Sequence, residues 1–336
     1  MRHVRVVVVA CVIAATACRR DASPPPPPAL AADASRVDLA ADERARIVSA
    51  ACGELVAHYV FPDVGTKMAA TLRERAARGD YDRIVSAAEL ARVVTDAMRE
   101  VSHDAHAMLE REPPPGAATA EDEAWERRVA KNRASSGFGA TVWLPGKIAH
   151  LEIESFEPID AARDTIATRM TEVADAGALI LDLRDNRGGD PATVALVASY
   201  VLGETPVHLN DMWWRDDAST DAFFTLRDVK GKRFGATKPV VVVTDRSTFS
   251  AAEEFAYDLQ ALHRATIVGE PTRGGAHPVA IRKLSAVFTL RVPTGRAINP
   301  VTKTNWEGTG VAPDVPAPPG EALAAAVRLA RRALAR

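Results

Sequence analysis

Three cysteines are few for a chain of 336 residues, and they stand at positions 11, 18 and 52. No CxxC pair and no HExxH segment occurs, so no metal site is legible from ligand spacing and no metal or organic cofactor is expected. The 42 Lys and Arg residues against 44 Asp and Glu residues leave a net charge of -2. No Lys/Arg stripe offers a nucleic acid a basic face. No internal repeat is visible. The apolar run at the N-terminus, Val6 to Ala17, is too short to span a bilayer. One more absence bears on chemistry: no lysine occurs between Lys238 and Lys283.

What is present begins with a targeting segment. Met1 to Arg5 is basic and Val6 to Ala17 apolar, the layout of a secretory signal. It ends in Ala15-Thr16-Ala17-Cys18, small residues before a cysteine, as in a bacterial lipobox. The expectation is a signal peptide over 1–17, a lipid on Cys18, and exposure to the periplasm or exterior. Residues 18–36 carry the run Pro24 to Pro28, a stiff extended tether. With Cys11 removed and Cys18 lipidated, Cys52 stands alone and reads as a small buried apolar residue.

Beyond the tether the chain is long enough for a real core, with 47% hydrophobic residues. Residues 37–110 read as a small helical cap. Asp42 to Val60 is amphipathic, Lys67 to Ala77 forms a second helix, and Ser86-Ala87-Ala88-Glu89 is a capping box ahead of Leu90, Val94, Ala97 and Val101. Residues 111–136, charged and interrupted by Pro113 to Pro115, read as a linker arm with a helical run from Glu121 to Arg133. From 137 to 319 strands alternate with helices. Strands are expected at 141–144, 148–153, 179–183, 240–243, 265–268 and 286–292, and helices at 161–174, 191–202 and 251–262. That alternation implies an α/β core. A last helix is expected over 320–336.

Ser250 is the most informative residue. Val240 to Val243 reads as a buried strand, a polar turn follows, and Ser250 opens a helical pattern. Free backbone N–H groups and the positive helix end favour negative charge there. The local pattern alone favours an N-cap, because caps far outnumber nucleophiles. Three further segments stand beside it: the strand and double glycine Leu181 to Gly189, the glycine-rich loop Ile267 to Pro278, and Asn299 to Val315 with Trp306-Glu307-Gly308-Thr309-Gly310.

In this order and spacing the four segments resemble the tail-specific (C-terminal processing) serine peptidase family, in the branch related to interphotoreceptor retinoid-binding protein and tricorn protease. The resemblance implies a crotonase/ClpP-like β-α spiral core behind a small N-terminal helical bundle. It implies Ser250, three residues before Glu253, as nucleophile. It also implies an oxyanion hole from the N–H of Ala251 with that of Gly188 or Gly189, and a peptide or unfolded protein as substrate. The sequence departs from the family where a lysine base is expected, because Gly275 stands there. Nor is there room for a PDZ module between the cap and the first core strand. A tricorn-like arrangement then implies His106 as base and Glu307 as its acidic partner. His103 is the rival base, and activity is expected to rise with pH through an imidazole. His277 is a weaker candidate for substrate contact. Two other readings of the same fold stay open: a non-catalytic binder of apolar small ligands, and an esterase.

Overall fold

The computed structural model describes residues 39–112 and 120–336. The signal segment, Cys18, the proline tether and Pro113 to Pro115 lie outside the described residues. Three helices come first: α1 (Ala41–His58), α2 (Pro62–Ala77) and α3 (Ala87–Ser102). The second begins earlier than its periodicity suggests, because Pro62 at the first helical position gives up an N–H that has no partner there anyway. Ser86 caps α3 by accepting the Glu89 N–H at 3.4 Å. The helix closes on His103 in the left-handed conformation, φ 56°.

Leu55, Met68, Leu72, Leu90, Val94 and Met98 are fully buried between these helices, as is Cys52. Their core also takes in Phe288, Leu290 and Val292 from far down the chain. Those residues belong to a three-stranded antiparallel sheet of β1 (Met108–Arg111), β9 (Val279–Lys283) and β10 (Phe288–Pro293), in the order β1-β10-β9. The helical layer thus shares its hydrophobic interior with a strand that sequence reading assigns to the α/β core.

The main sheet has six strands in the order β12-β8-β7-β4-β3-β2. Antiparallel β2 (Phe138–Leu144) edges it beside β3 (Ile148–Ile153). From β3, β4 (Ala178–Asp182), β7 (Val240–Thr244), β8 (Thr266–Gly269) and β12 (Val315–Pro316) run parallel. Alternate side chains face opposite layers. Leu179, Leu181, Val240, Val242 and Ile267 pack with α5 (Ile159–Val173), α6 (Pro191–Leu202) and α7 (Ala251–Ala261). Ile148, Ile180, Val241, Val243 and Val268 pack with Ala322, Ala326 and Ala330 of α8 (Pro319–Leu334). Two covered faces explain why the central strands are apolar without alternation.

A second small sheet, β11-β5-β6, is built from β5 (His208–Trp214), β6 (Thr220–Phe224) and β11 (Gly295–Ile298). It carries Trp213-Trp214 and Phe223-Phe224. Trp213, Trp214 and Phe223 are half-buried against the apolar cores, and Phe224 is 46% exposed with its ring stacked on His208. In the arm, α4 (Ala120–Ser135) is polar all round and buries only Asn132. No helix among the described residues is long and apolar enough to cross a membrane.

Candidate active site

Ser250 sits where the parallel strand β7 ends, the edge of an open α/β sheet at which ligands gather. The turn before it is braced from within. Asp245 Oδ1 accepts the N–H of Ser247 and of Thr248, both at 2.9 Å. The Thr248 hydroxyl donates to the Leu183 carbonyl at 2.9 Å, and Phe249 N–H to the Asn186 carbonyl at 2.9 Å. These bonds lock the Ser250 turn to the turn after β4. They hold Ser250 at φ 55°, ψ -125°, a conformation an L-residue adopts only under constraint. The Glu253 N–H, the group that a capping hydroxyl would take, goes to the Ser250 carbonyl at 2.8 Å.

The double-glycine turn lies against this strained residue. A Cβ on Gly188 would come 2.8 Å from both Ser250 Cβ and the Ala251 nitrogen, and one on Gly189 would overlap the Phe156 carbonyl. Both glycines are at positive φ, 98° and 146°, so no side chain fits either place. Gly188 N–H is already committed to Asn186 Oδ1 at 2.8 Å. The N–H groups of Gly189 and Ala251 have no hydrogen-bond partner among the described residues.

Glu253 does more than complement a helix dipole, which is all that its place in the first turn suggests. It is fully buried. Its carboxylate accepts four bonds: from Ser250 N–H at 2.9 Å, Thr272 hydroxyl at 2.5 Å, Gly274 N–H at 2.6 Å and Gly275 N–H at 2.8 Å. Burial pushes its pKa up to about 7, and the four donors oppose that shift. Because Thr272 Oγ1 itself accepts the Val311 N–H at 2.7 Å, all four donors point at Glu253, and they favour the ionised form. Glu253 therefore ties the Gly274-Gly275 loop to the Ser250 turn.

That loop brings in the imidazole. A Cβ on Gly275 would lie 2.5 Å from Phe249 Cζ and 2.6 Å from His106 Cε1. The space a side chain at 275 would use is filled by the Phe249 and His106 rings together, tilted at 33° with centroids 4.3 Å apart. His106 is delivered by the crossing from α3 to β1. Arg99 braces that crossing by donating to the carbonyls of Ala105 at 2.7 Å and Ala107 at 3.1 Å. His106 N–H donates to Asp104 Oδ1 at 2.9 Å. Burial holds the His106 pKa down to about 4; Asp104 opposes the shift. The ring is neutral at ordinary pH.

Behind His106 lies a buried cluster. His277 Nδ1 is 2.8 Å from Asp104 Oδ2 and 3.4 Å from Glu307 Oε2. The Tyr59 hydroxyl donates to Asp104 Oδ2 at 3.1 Å. Burial works against charge on His277, but the bond and charge of Asp104 outweigh it and raise its pKa. Asp104 is correspondingly lowered, again against burial, by the His277 hydrogen bond. Glu307 is pushed up to about 7 by burial, then by the Asp104 charge, while its Oε2 accepts the Ala276 N–H at 2.5 Å. Two buried atoms of the cluster are unsatisfied, His106 Nδ1 and Glu307 Oε1. One ligand atom from each of Asp104, His106 and Glu307 falls within 4.8 Å of the others.

Ser250, His106, Gly188, Gly189, Ala251 and His277 open on one cavity of about 770 Å³. Trp125, Arg128 and Asn132 of α4 overhang it. No hydrogen bond joins Ser250 to His106. His103, the rival base, is exposed at the end of α3 and does not line the cavity. Asp182 and Arg184 form a structural pair, with Nη2 to Oδ2 at 2.6 Å. Asp104, Glu253 and the depth of His277 are the parts that sequence reading missed. An Asp two residues before His106 is the one local sign of the first.

A strained serine at a strand-to-helix turn, two N–H groups beside it without partners among the described residues, and a neutral imidazole in the same cavity are the parts that acyl transfer requires. The model of peptidase family S41 matches residues 147–317, just over half the chain, and that of the N-terminal domain of this peptidase family in eukaryotic IRBP matches residues 34–135. The chain belongs to peptidase family S41. It is 29% identical over 185 residues to the chloroplastic carboxyl-terminal-processing peptidase 2 of Arabidopsis thaliana, an alignment over 52% of this chain and 34% of the relative. The match thus spans about a third of that relative's length. Among solved structures, a lipoprotein from Streptococcus agalactiae is similar with TM-score 0.59 and 15% identity, over 86% of this chain and 96% of that one. A peptidase-like protein from Parabacteroides merdae gives TM-score 0.58 and 19% identity, over 85% and 96%. Both likenesses concern the fold.

Proposed function

We propose that this protein hydrolyses peptide bonds through an acyl-enzyme on Ser250, with His106 as base and Glu307 as its acidic partner. One observation carries the reading: the imidazole of His106, together with the Phe249 ring of the Ser250 turn, occupies the space that a side chain at Gly275 would otherwise fill. The chain supplies no lysine to that loop, and an uncharged ring stands in its stead. Ser250 Oγ attacks the substrate carbonyl while its proton passes to the neutral imidazole. The oxyanion that forms takes the N–H groups of Ala251 and Gly189, which have no other partner among the described residues. The C–N bond then breaks, the leaving amine receives the proton, and water repeats the sequence on the ester. A proton on His106 Nδ1 shared with Glu307 Oε1 satisfies both unsatisfied atoms after a small closure, and closures of that kind accompany substrate binding.

The expected result is that Ser250→Ala and His106→Ala each lower peptide hydrolysis by about 10³-fold or more while the thermal midpoint stays within a few degrees. With the His106 pKa near 4, the acid limb of kcat/KM should fall nearer pH 4 than the ordinary imidazole value of about 6.5. Retained turnover in folded Ser250→Ala protein contradicts the mechanism. An esterase uses the same groups, and matched ester and amide substrates separate the two. A vestigial binder is disfavoured by the two unused N–H groups beside Ser250.

We also propose that the protein is lipid-anchored at Cys18 and faces the periplasm or exterior. The signal layout, the small residues before Cys18 and the proline run support it. Mass spectrometry of the mature chain should find a diacylglyceryl-modified Cys18 as its first residue. An unmodified N-terminus further along contradicts this.

A further inference from the structure

A second cavity, of about 510 Å³, lies between the helical layer and the core. Phe61, Val64 and Ser102 line it from one side, and Arg296, Lys303 and Thr304 from the other. His277 and Glu307 form part of its wall, but it does not contain Ser250. Its distinguishing group is Arg296, on β11. The guanidinium carbon lies 5.1 Å from the Trp213 ring centroid and 5.7 Å from that of Phe61. Its Nε is buried and has no hydrogen-bond partner.

Four other described arginines carry a buried unsatisfied nitrogen: Arg111, Arg169, Arg282 and Arg291. Each has a carboxylate close by, Asp122 at 3.7 Å, Glu172 at 3.1 Å, Glu54 at 3.5 Å and Glu110 at 2.9 Å respectively. Arg296 has none within 4 Å, and its side chain makes no hydrogen bond among the described residues. Glu307 lines the same cavity, yet its Oε2 serves the Ala276 N–H and His277. Lys303 adds a second positive charge at the rim, exposed and likewise without an ion pair. A partly buried guanidinium within cation–π reach of two rings, with no counter-ion among the described residues, is a site prepared for one.

We propose that this cavity binds a small oxyanion, a carboxylate or a phosphate, through the Arg296 fork with Lys303 at the rim. A planar guanidinium packed near two aromatic rings presents two parallel N–H donors to an oxyanion. Neither Ser250 nor His106 lines this cavity, and Glu307 is the one group of the proposed catalytic set in its wall, so anion binding can be read apart from turnover.

The test uses Ser250→Ala protein, so that turnover plays no part. Inorganic phosphate and acetate are titrated separately at constant ionic strength and followed by the ¹⁵Nε–¹Hε resonance of Arg296, assigned by its loss in Arg296→Met. Saturable displacement of that resonance is expected with at least one of the two anions. The tighter one shows whether a phosphoryl or a carboxyl group is the natural occupant. Calorimetry should find binding about tenfold weaker or absent in Arg296→Met, which keeps the apolar stem between the rings, and about two- to threefold weaker in Lys303→Met. Arg296→Lys, which keeps the charge and loses the fork, should lie between wild type and Arg296→Met. Unsaturable shifts with both anions, or equal affinity in wild type and Arg296→Lys, overturn the proposal.

Discussion

At residue scale the molecule concentrates strain and desolvation on very few side chains. Ser250 is held at positive φ by bonds that its neighbours make, not by its own hydroxyl. His106 is kept neutral by burial. Gly275 is the residue on which the two depend, because the rings of Phe249 and His106 fill the space beside its Cα. Gly275→Ala should therefore push the Phe249 and His106 rings away from the Ser250 turn. Overpacking of this kind costs about 1–3 kcal/mol. Peptidase activity should fall at least about tenfold, since small displacements of a positioned base cost that much. Gly275→Lys should be worse still and should not install a serine–lysine pair, because the ammonium would have to displace the imidazole. Thermal melts and steady-state kinetics on both variants check this. Full activity in Gly275→Ala contradicts the assigned position of His106.

At the scale of elements, α7 is the unusual one. Its first three turns bury Glu253, Glu254 and Asp258. Glu253 is accounted for by its four donors. Glu254 and Asp258, one turn apart, each keep an unsatisfied oxygen, Oε1 and Oδ2. Burial raises Glu254 to about 7, and raises Asp258 well above its ordinary value with Glu254 adding to the shift. Such a pair prefers to hold a proton. A carboxyl whose folded pKa exceeds its unfolded one stabilises the fold at low pH and withdraws that support as pH rises through the folded value. Stability should accordingly decline as pH rises from the ordinary carboxyl value of about 4.3 to about 7, the value to which Glu254 is raised, and level off above it. Asp258→Asn should flatten the decline, because the amide keeps the oxygen that accepts from Asn299 at 2.9 Å and adds N–H donors. Its melting temperature at pH 8 should be several degrees above wild type, with little difference at pH 5. An identical pH dependence in both proteins contradicts the shared-proton account.

The elements also mark what can be read from sequence. The buried parallel strands and the helices α6 and α7 stand out because two-sided burial leaves unbroken apolar runs, and because Ser86 supplies a cap for α3. The strands β1, β5, β6 and β9 are not legible, since each is short, mixed in polarity and only partly buried. At the site, Ser250 and the double glycine are visible as local strand-turn-helix patterns. The roles of Glu253, Asp104 and His277 depend on partners 22, 173 and 30 residues away. No local pattern encodes such contacts. The free N–H at Gly189, as against the committed one at Gly188, is likewise settled only by the side chain of Asn186.

At the scale of the whole molecule, cap and core are one body around the site. Strand β1 pairs with β10, the cap helices bury Phe288, Leu290 and Val292, and Asp104 reaches His277 across the join. That last pair is buried on both sides. Asp104→Asn should cost about 3 kcal/mol, as expected for a buried pair that loses one partner. The sign of its pH dependence follows from both shifts. Asp104, lowered, contributes once pH exceeds the ordinary Asp value of about 3.9, and His277, raised, contributes until pH passes its folded value, which lies above about 6.5. The deficit should therefore be largest between those limits and shrink at higher pH. Denaturant titrations at pH 5.5 and pH 8.5 measure it, and an equal deficit at both contradicts the pair as drawn.

The measurement that bears most directly on the central claim is intact-mass and peptide-level mass spectrometry after treatment with a fluorophosphonate. Such a probe needs an activated serine, a base and an oxyanion site together. The expected result is a single adduct on the peptide containing Ser250, absent in Ser250→Ala and slowed by at least about 100-fold in His106→Ala. An unlabelled wild-type protein, or labelling of Ser250 at an unchanged rate without His106, contradicts the account.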